Sequence, residues 1–350
     1  MRRSPLFALH MQGGASLAAH SDCMVPENYG IAEPDPLSIV SGAGVVDLSH
    51  IAVLDLQASD LRRWANGIFT NNIRRLPVGR GNRNGMCDDR GRLQGLLDLY
   101  CLADDHFLAV LDGVDADWFE ARYRMFLILD DIEVEPQFDV STLISLQGPT
   151  AGALLSAVNL PVPAVEREHL VDATTGVRVA RRDRTGLGGF DLMVPLAGAI
   201  DLWAALRSAG ARPFGLETLD ALRVRAGQAA FPQDAGEKSM IHELRLNQEI
   251  CAFDKGCYVG QEIINRIDVK GLLTKKLMGL VVEGEAPPIG AEVVVDDVVV
   301  GVVTSSAPRD GGGLGLSVVR KSAWTPGVVA QLRTPDGERD ATLSELPFGG

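Results

Sequence analysis

Residues 254–266 read DKGCYVGQEIINR. Lys255 and Cys257 stand two apart in a segment framed by Gly256 and Gly260, just ahead of the helical run QEIINRI. In an extended chain positions 255 and 257 face the same side, so the spacing sets an ammonium beside a thiol. A thiolate is favoured beside a cation or at a helix N-terminus, which makes Cys257 a candidate nucleophile tuned by Lys255. The competing reading is a small apolar residue packed in a glycine turn, because free cysteine is among the most buried residue types. Gln261 and Arg266 extend the polar set, while Glu262 reads as a solvated helix face.

Outward from this stretch the chain separates by texture. Residues 1–40 are rich in Gly, Pro and small side chains and predict an extended, wrapped lead-in. From about 44 to 270 strand-like and helix-like runs alternate. GVVDLSHIAVLDLQ predicts a strand pair, and ASDLRRWANGIFTNNI a helix with Leu61, Trp64, Ala65 and Ile68 on one face. GRLQGLLDLYCLADDHFLAVLD predicts two strands turning at Asp104–Asp105, and DADWFEARYRMFLIL a helix. A comparable strand-helix-strand order follows from TLISLQG to AIDLWAALRSAG, so two similar α+β halves are expected. After Gly271 short Val-rich strands take over, the pattern of a small β-barrel, with a turn at Asp296–Asp297 and a flexible loop at PRDGGGLG.

The totals bound the function. With 350 residues, 46% of them hydrophobic, the chain can bury a sizeable core. A net charge of −13 opposes general polyanion binding, because phosphate backbones are gripped by clustered Lys and Arg; direct nucleic-acid binding is not expected. The five cysteines are scattered, without a CxxC pair, and the six histidines lack an HExxH spacing, so neither a disulfide framework nor a metal site is predicted. No run approaches membrane-spanning length, and the expectation is a protein of the reducing cytoplasm. Asp47, Ser49 and His50 in VVDLSH invite a hydrolase reading, but no GxSxG elbow exists; Asp47 and Ser49 are expected to bond backbone at a strand end. The glycine-rich GRGNRNG (79–85) lacks the Lys-Ser/Thr of a phosphate loop and reads as a turn.

KGCYVGQE followed by Arg266 resembles the signature of the YgfZ-type folate-binding proteins, which share a superfamily with the glycine cleavage T-protein, an aminomethyltransferase. The resemblance covers nearly the whole chain: SPLFALH, MVPENYG and GVVDLSH look like the T-protein opening, and GLETLDALRVRAGQAAFPQD is similar to its later helix and Asp-containing loop. It implies an α+β folate-binding core of two similar halves, residues 1–145 and 146–272, around a central cavity, with a C-terminal β-barrel over 273–350. It also implies a tetrahydrofolate-type ligand, bound by Asp191, Arg223 and Asp112, with Gln261 and Arg266 near the Cys257 loop.

The departures matter as much. Ungapped alignment puts Leu96 where T-proteins carry the carboxylate that supports one-carbon transfer, and a leucine can neither accept a proton nor stabilise a cation. Asp98 shares that strand face about 6.5–7 Å further along. Asp112 replaces the family asparagine, Arg225 its glutamate, and the segment RTGLGGFD before Asp191 is compressed. Asp191 and Arg223 have an alternative reading as a buried ion pair bracing the two halves. Three functions follow: a folate-binding accessory protein for iron–sulfur enzymes or assembly proteins, affecting tRNA modification only indirectly; an aminomethyl- or demethylating transferase using Asp98 or Asp112; or a ligand-free scaffold.

Overall fold

A computed structural model describes residues 1–34, 36–335 and 337–349. The chain divides into two compact units. The first comprises Met1–Ala65, Ile73–Arg83 and Leu97–Leu219; the second comprises Asn66–Asn72, Asn84–Leu96 and Asp220–Gly350.

The first unit is built on a six-stranded sheet in the order His169–Val171, Arg178–Arg181, Gly189–Pro195, Ser141–Gln147, Gly44–Asp47 and Arg212–Pro213. Alternate residues of its strands, among them Val45, Ile144, Leu146, Val179 and Leu192, share one apolar cluster with Trp203 and Leu206 of the Ala199–Ser208 helix. The pleat turns the intervening residues, Ser145 and Asp191, to the opposite face, where they stand in register with each other. A five-stranded sheet runs in the order Gly81–Cys87, Leu93–Ala103, His106–Asp112, Val53–Gln57 and Glu133–Pro136, and its first two strands carry the chain across the unit boundary.

The second unit ends in a seven-stranded antiparallel sheet, ordered Val298–Val302, Glu292–Val295, Val329–Thr334, Gly337–Ser344, Lys275–Glu283, Gly312–Arg320 and Ser305–Arg309. Its inward side chains, including Met278, Leu280, Val293, Val300, Leu332 and Leu343, form one cluster. The expected turn at Asp296–Asp297 is present, with φ of 50° and 60°, the pair of positive values that a two-residue hairpin of matching twist requires.

Four local expectations are corrected. GVVDLSHIAVLDLQ does form two strands, Gly44–Asp47 and Val53–Gln57, but they belong to different sheets. The first 40 residues are not merely wrapped: Arg2–Arg3, Ser16–His20 and Cys23–Asn28 make a three-stranded sheet, and Leu6, Cys23 and Val25 are buried. GRGNRNG is mostly strand, Gly81–Cys87, not a turn. At Gly81 a side chain would meet the Tyr100 ring at 2.6 Å and the Leu99 carbonyl at 2.8 Å, so the glycine marks close approach. PRDGGGLG is likewise a hairpin, Arg309 opposing Gly312, and a Cβ on Gly313 would lie 2.3 Å from Ala286 Cα.

Candidate functional site

In the second unit, the glycines of the 254–266 stretch set its course. Gly260 has φ 81°, and a Cβ there would lie 2.7 Å from the Asp88 carbonyl and 2.8 Å from Gly91 Cα. The chain turns there into the Gln261–Lys270 helix, whose one buried residue is Ile264. Cys257 lies just before the turn and is exposed, whereas Cys23, Cys87, Cys101 and Cys251 are all buried. The thiol is therefore accessible, and the packed-turn reading of Cys257 does not hold.

The lysine is placed differently from expectation. Lys255 Nζ donates to the carbonyls of Phe69 at 2.5 Å and Asn71 at 2.6 Å, and lies 4.7 Å from the Tyr258 ring centroid. Burial pulls this ammonium down to about 7, with the Cys251 thiol the charge partner that opposes the shift. Its hydrogen bonds thus tie the 254–258 loop to residues 69–71, and they do not involve the Cys257 sulfur. Gln261 Nε2 donates to the Lys255 carbonyl at 3.4 Å, a loop contact. Arg266 is exposed and makes no hydrogen bond or ion pair among the described residues.

Leu96 is fully buried in an apolar cluster of the same unit with Leu93, Ile241, Leu244, Ile250, Tyr258 and Ile264. Arg223 is committed as well: it donates to Asp220 at 2.7 Å, Asp234 at 2.7 Å, the Gln228 carbonyl at 2.9 Å and Ser305 Oγ at 2.6 Å. Its partners all lie on the second unit.

The first unit holds a buried ionic network that sequence reasoning missed. Asp98 receives Arg167 Nε at 2.6 Å on one oxygen and Arg182 Nε at 2.8 Å on the other. Although burial opposes ionisation, these guanidiniums, with Arg83, hold the carboxyl well below the usual range. A carboxylate so held is a poor proton acceptor. Asp191 is grasped by Arg184, with Nε 3.0 Å from Oδ1 and Nη2 2.7 Å from Oδ2, and by Ser145 Oγ at 2.7 Å. Gln147 links these groups, donating to Ser145 Oγ at 2.8 Å and to the Arg182 carbonyl at 2.9 Å while accepting Arg184 N at 2.9 Å. Gly189 leaves room for that amide, which a Cβ would meet at 2.4 Å. Asp112 pairs with Arg83 at 2.8 Å. Two of these arginines, Arg182 and Arg184, belong to the run RRDR (181–184) and lie in the loop that follows the Arg178–Arg181 strand; the residue opposite Asp191 in the ladder is Ala180, so strand register gives no signal for Arg184.

The hydrolase arrangement is absent. Ser49 Oγ bonds Asp47 and, at 2.5 Å, Thr142, and Asp47 also accepts His10 Nε2 at 2.8 Å. The expected backbone bond at the strand end is present as Ser49 N to Asp47 at 2.9 Å. No group of three or more His, Cys, Asp or Glu suited to a metal occurs among the described residues. Nor, among them, is any helix long and apolar enough to cross a membrane.

Comparison with known proteins decides the family. The GCVT N-terminal domain matches residues 6–255, and the glycine cleavage T-protein C-terminal barrel domain matches 275–349. The chain belongs to the glycine cleavage T-protein family. An aminomethyltransferase of Halothermothrix orenii is 28% identical over 372 residues, covering 99% of this chain and all of that one. Another, from Cupriavidus taiwanensis, is 31% identical over 254 residues, 67% of each chain. The crystal structure of glycine cleavage system aminomethyltransferase T from Bartonella henselae superposes with a TM-score of 0.90 at 21% identity, covering 99% of this chain and 98% of that one. That likeness establishes the fold: a T-protein α+β architecture with the C-terminal barrel domain.

Proposed function

We propose that this member of the T-protein family is a cytoplasmic folate-binding accessory protein that does not turn over an aminomethyl donor. In this reading it serves iron–sulfur enzymes or their assembly proteins through the accessible Cys257, and any effect on tRNA modification passes through cluster-dependent modifying enzymes. The observation that carries the loss of transfer is the burial of Leu96 in hydrocarbon, where a T-protein's carboxylate would be needed. Asp98 offers no replacement, because both its oxygens are held by arginines. One exposed thiolate cannot hold a cluster alone, so cluster ligands must come from a partner.

Folate binding also depends on Arg184. A guanidinium presents to a carboxylate the same pair of parallel N–H donors as the amino-pyrimidinone edge of a pterin. Arg184 therefore competes with the ligand for Asp191. The test is calorimetry of the full chain with tetrahydrofolate, together with a turnover assay using an aminomethyl or methyl donor. Binding without turnover, tightened by Arg184→Ser, is expected; catalytic turnover by the unaltered chain overturns the reading. The full-length likeness to proteins named aminomethyltransferase favours a second reading, a working transferase, and that turnover is its signature.

A further inference from the structure

The helix Ala116–Leu129 carries two apolar stripes where a surface helix needs one. Ala116, Phe119, Tyr123 and Leu127, three or four residues apart, face inward and are buried. Its other side also ends apolar: Met125 is 71% exposed, Ile128 71% and Leu129 76%, with Phe126 beside them at 39%. Four large apolar side chains within five positions are a patch, unlike the single exposed hydrophobes scattered over any surface.

Charges flank the patch in a particular order. Arg124 lies on the exposed face one turn before Ile128, and Asp131 lies just beyond the helix end; both border a cleft of about 500 Å³ with Glu120, Ile128 and Ile132. Among the described residues neither Arg124 nor Asp131 has an ion-pair partner. Asp131 is fixed in place: Ile132 N bonds the Leu127 carbonyl at 3.0 Å and Asp131 N the Ile128 carbonyl at 3.4 Å. These bonds close the helix with Asp131 at φ 51°, the left-handed position that glycine usually takes. The neighbouring edge strand Glu133–Pro136 carries two glutamates and a proline, which blunts it against strand addition. The helix face is left as the contact surface.

We propose that this face joins two copies of the chain about a two-fold axis, the helices crossing antiparallel near Ile128. A two-fold contact is self-complementary, so each residue pairing occurs twice. The positive end of the patch on one copy meets the negative end on the other. Arg124 then stands against Asp131 of the second copy, and Asp131 against its Arg124, on either side of an apolar centre of Met125, Ile128 and Leu129. A parallel arrangement would set like charges together.

Four large apolar side chains per copy make a contact of the low-area, transient class, and the dimer is expected at the micromolar end of interface affinities. Sedimentation velocity of the full chain from about 1 to 300 µM, spanning that range, tests it. The sedimentation coefficient is expected to rise with concentration, Ile128→Glu to hold it at the monomer value, and Arg124→Asp to weaken association about tenfold or more. Arg124→Asp combined with Asp131→Arg should restore it, which only a partner carrying the same two residues can do. As a second measurement, Ile128→Cys in a Cys257→Ser background should form a disulfide-linked dimer under mild oxidation. A flat sedimentation profile, association unchanged by Ile128→Glu, a double variant no better than the single, or failure of the Ile128→Cys cross-link would each overturn the proposal.

Discussion

The Asp98 network of the first unit and the 254–266 loop of the second treat charge in opposite ways. Asp98, Asp191, Arg167, Arg182 and Arg184 are withdrawn from water and paired within a few ångströms. Cys257 stands in solvent, and the nearby Lys255 is bound to two carbonyls instead of the sulfur. A buried ion is costly alone and tolerable when matched, so the first region has little freedom to do chemistry. An exposed thiol is bound by no such condition. The contrast separates a buried framework from an accessible thiol without any appeal to motif.

The largest expected effect falls on the network. Asp98→Ala leaves two buried guanidiniums, Arg167 and Arg182, without their shared carboxylate, and removing one partner of a buried ion pair costs about 3–5 kcal/mol. Urea unfolding should show that loss. A cost below about 1 kcal/mol, the range of exposed pairs, would mean that water reaches the site and that Asp98 is free to act as a base.

Much of this was legible in the chain itself. Strands such as Leu93–Ala103 and His106–Asp112 and helices such as Ala116–Leu129 follow directly from hydrophobic period and turn residues. What escaped was set by tertiary packing. Gly81 and Gly313 look like flexible punctuation, yet each admits a neighbouring chain too close for any side chain. Lys255 and Cys257 have the spacing of same-side partners, but the chain bends at Lys255, and the ammonium reaches Phe69 and Asn71, nearly 190 positions away in sequence. Cys257 is exposed, and Leu96 lies in an apolar cluster. The guanidiniums on Asp98 and Asp191 come from three separate segments, which no local pattern brings together.

A smaller effect is expected at Lys255. Replacing it by methionine leaves the Phe69 and Asn71 carbonyls without their donor, a loss of about 1–3 kcal/mol. Its pH dependence carries a sign. Lys255 is near 7 in the fold against 10.5 for an ordinary lysine, so between those values the unfolded chain binds a proton that the folded chain does not. Lysine's contribution to stability therefore rises as pH climbs from about 7 towards 10.5. Chemical denaturation of both forms at several pH values should show the penalty of Lys255→Met growing across that window; a constant penalty would mean that the ammonium stays charged throughout.

The smallest effect on stability, and the sharpest on reactivity, belongs to Cys257. Because its side chain is exposed and contributes to no core cluster, Cys257→Ser should change unfolding free energy by less than about 0.5 kcal/mol. The other thiols are enclosed, and burial pushes Cys251 up to about 12 and Cys23 to about 11, so neither offers thiolate near neutrality. Alkylation of the folded chain at pH 7, followed by peptide mapping, should label Cys257 first and leave the other four slow. With the ammonium of Lys255 directed at carbonyls, Lys255→Met should leave the Cys257 rate close to its original value wherever the fold persists. Equal labelling of Cys257 and Cys251 would place both thiols in one environment, and the division between a buried framework and an accessible thiol would no longer describe this loop.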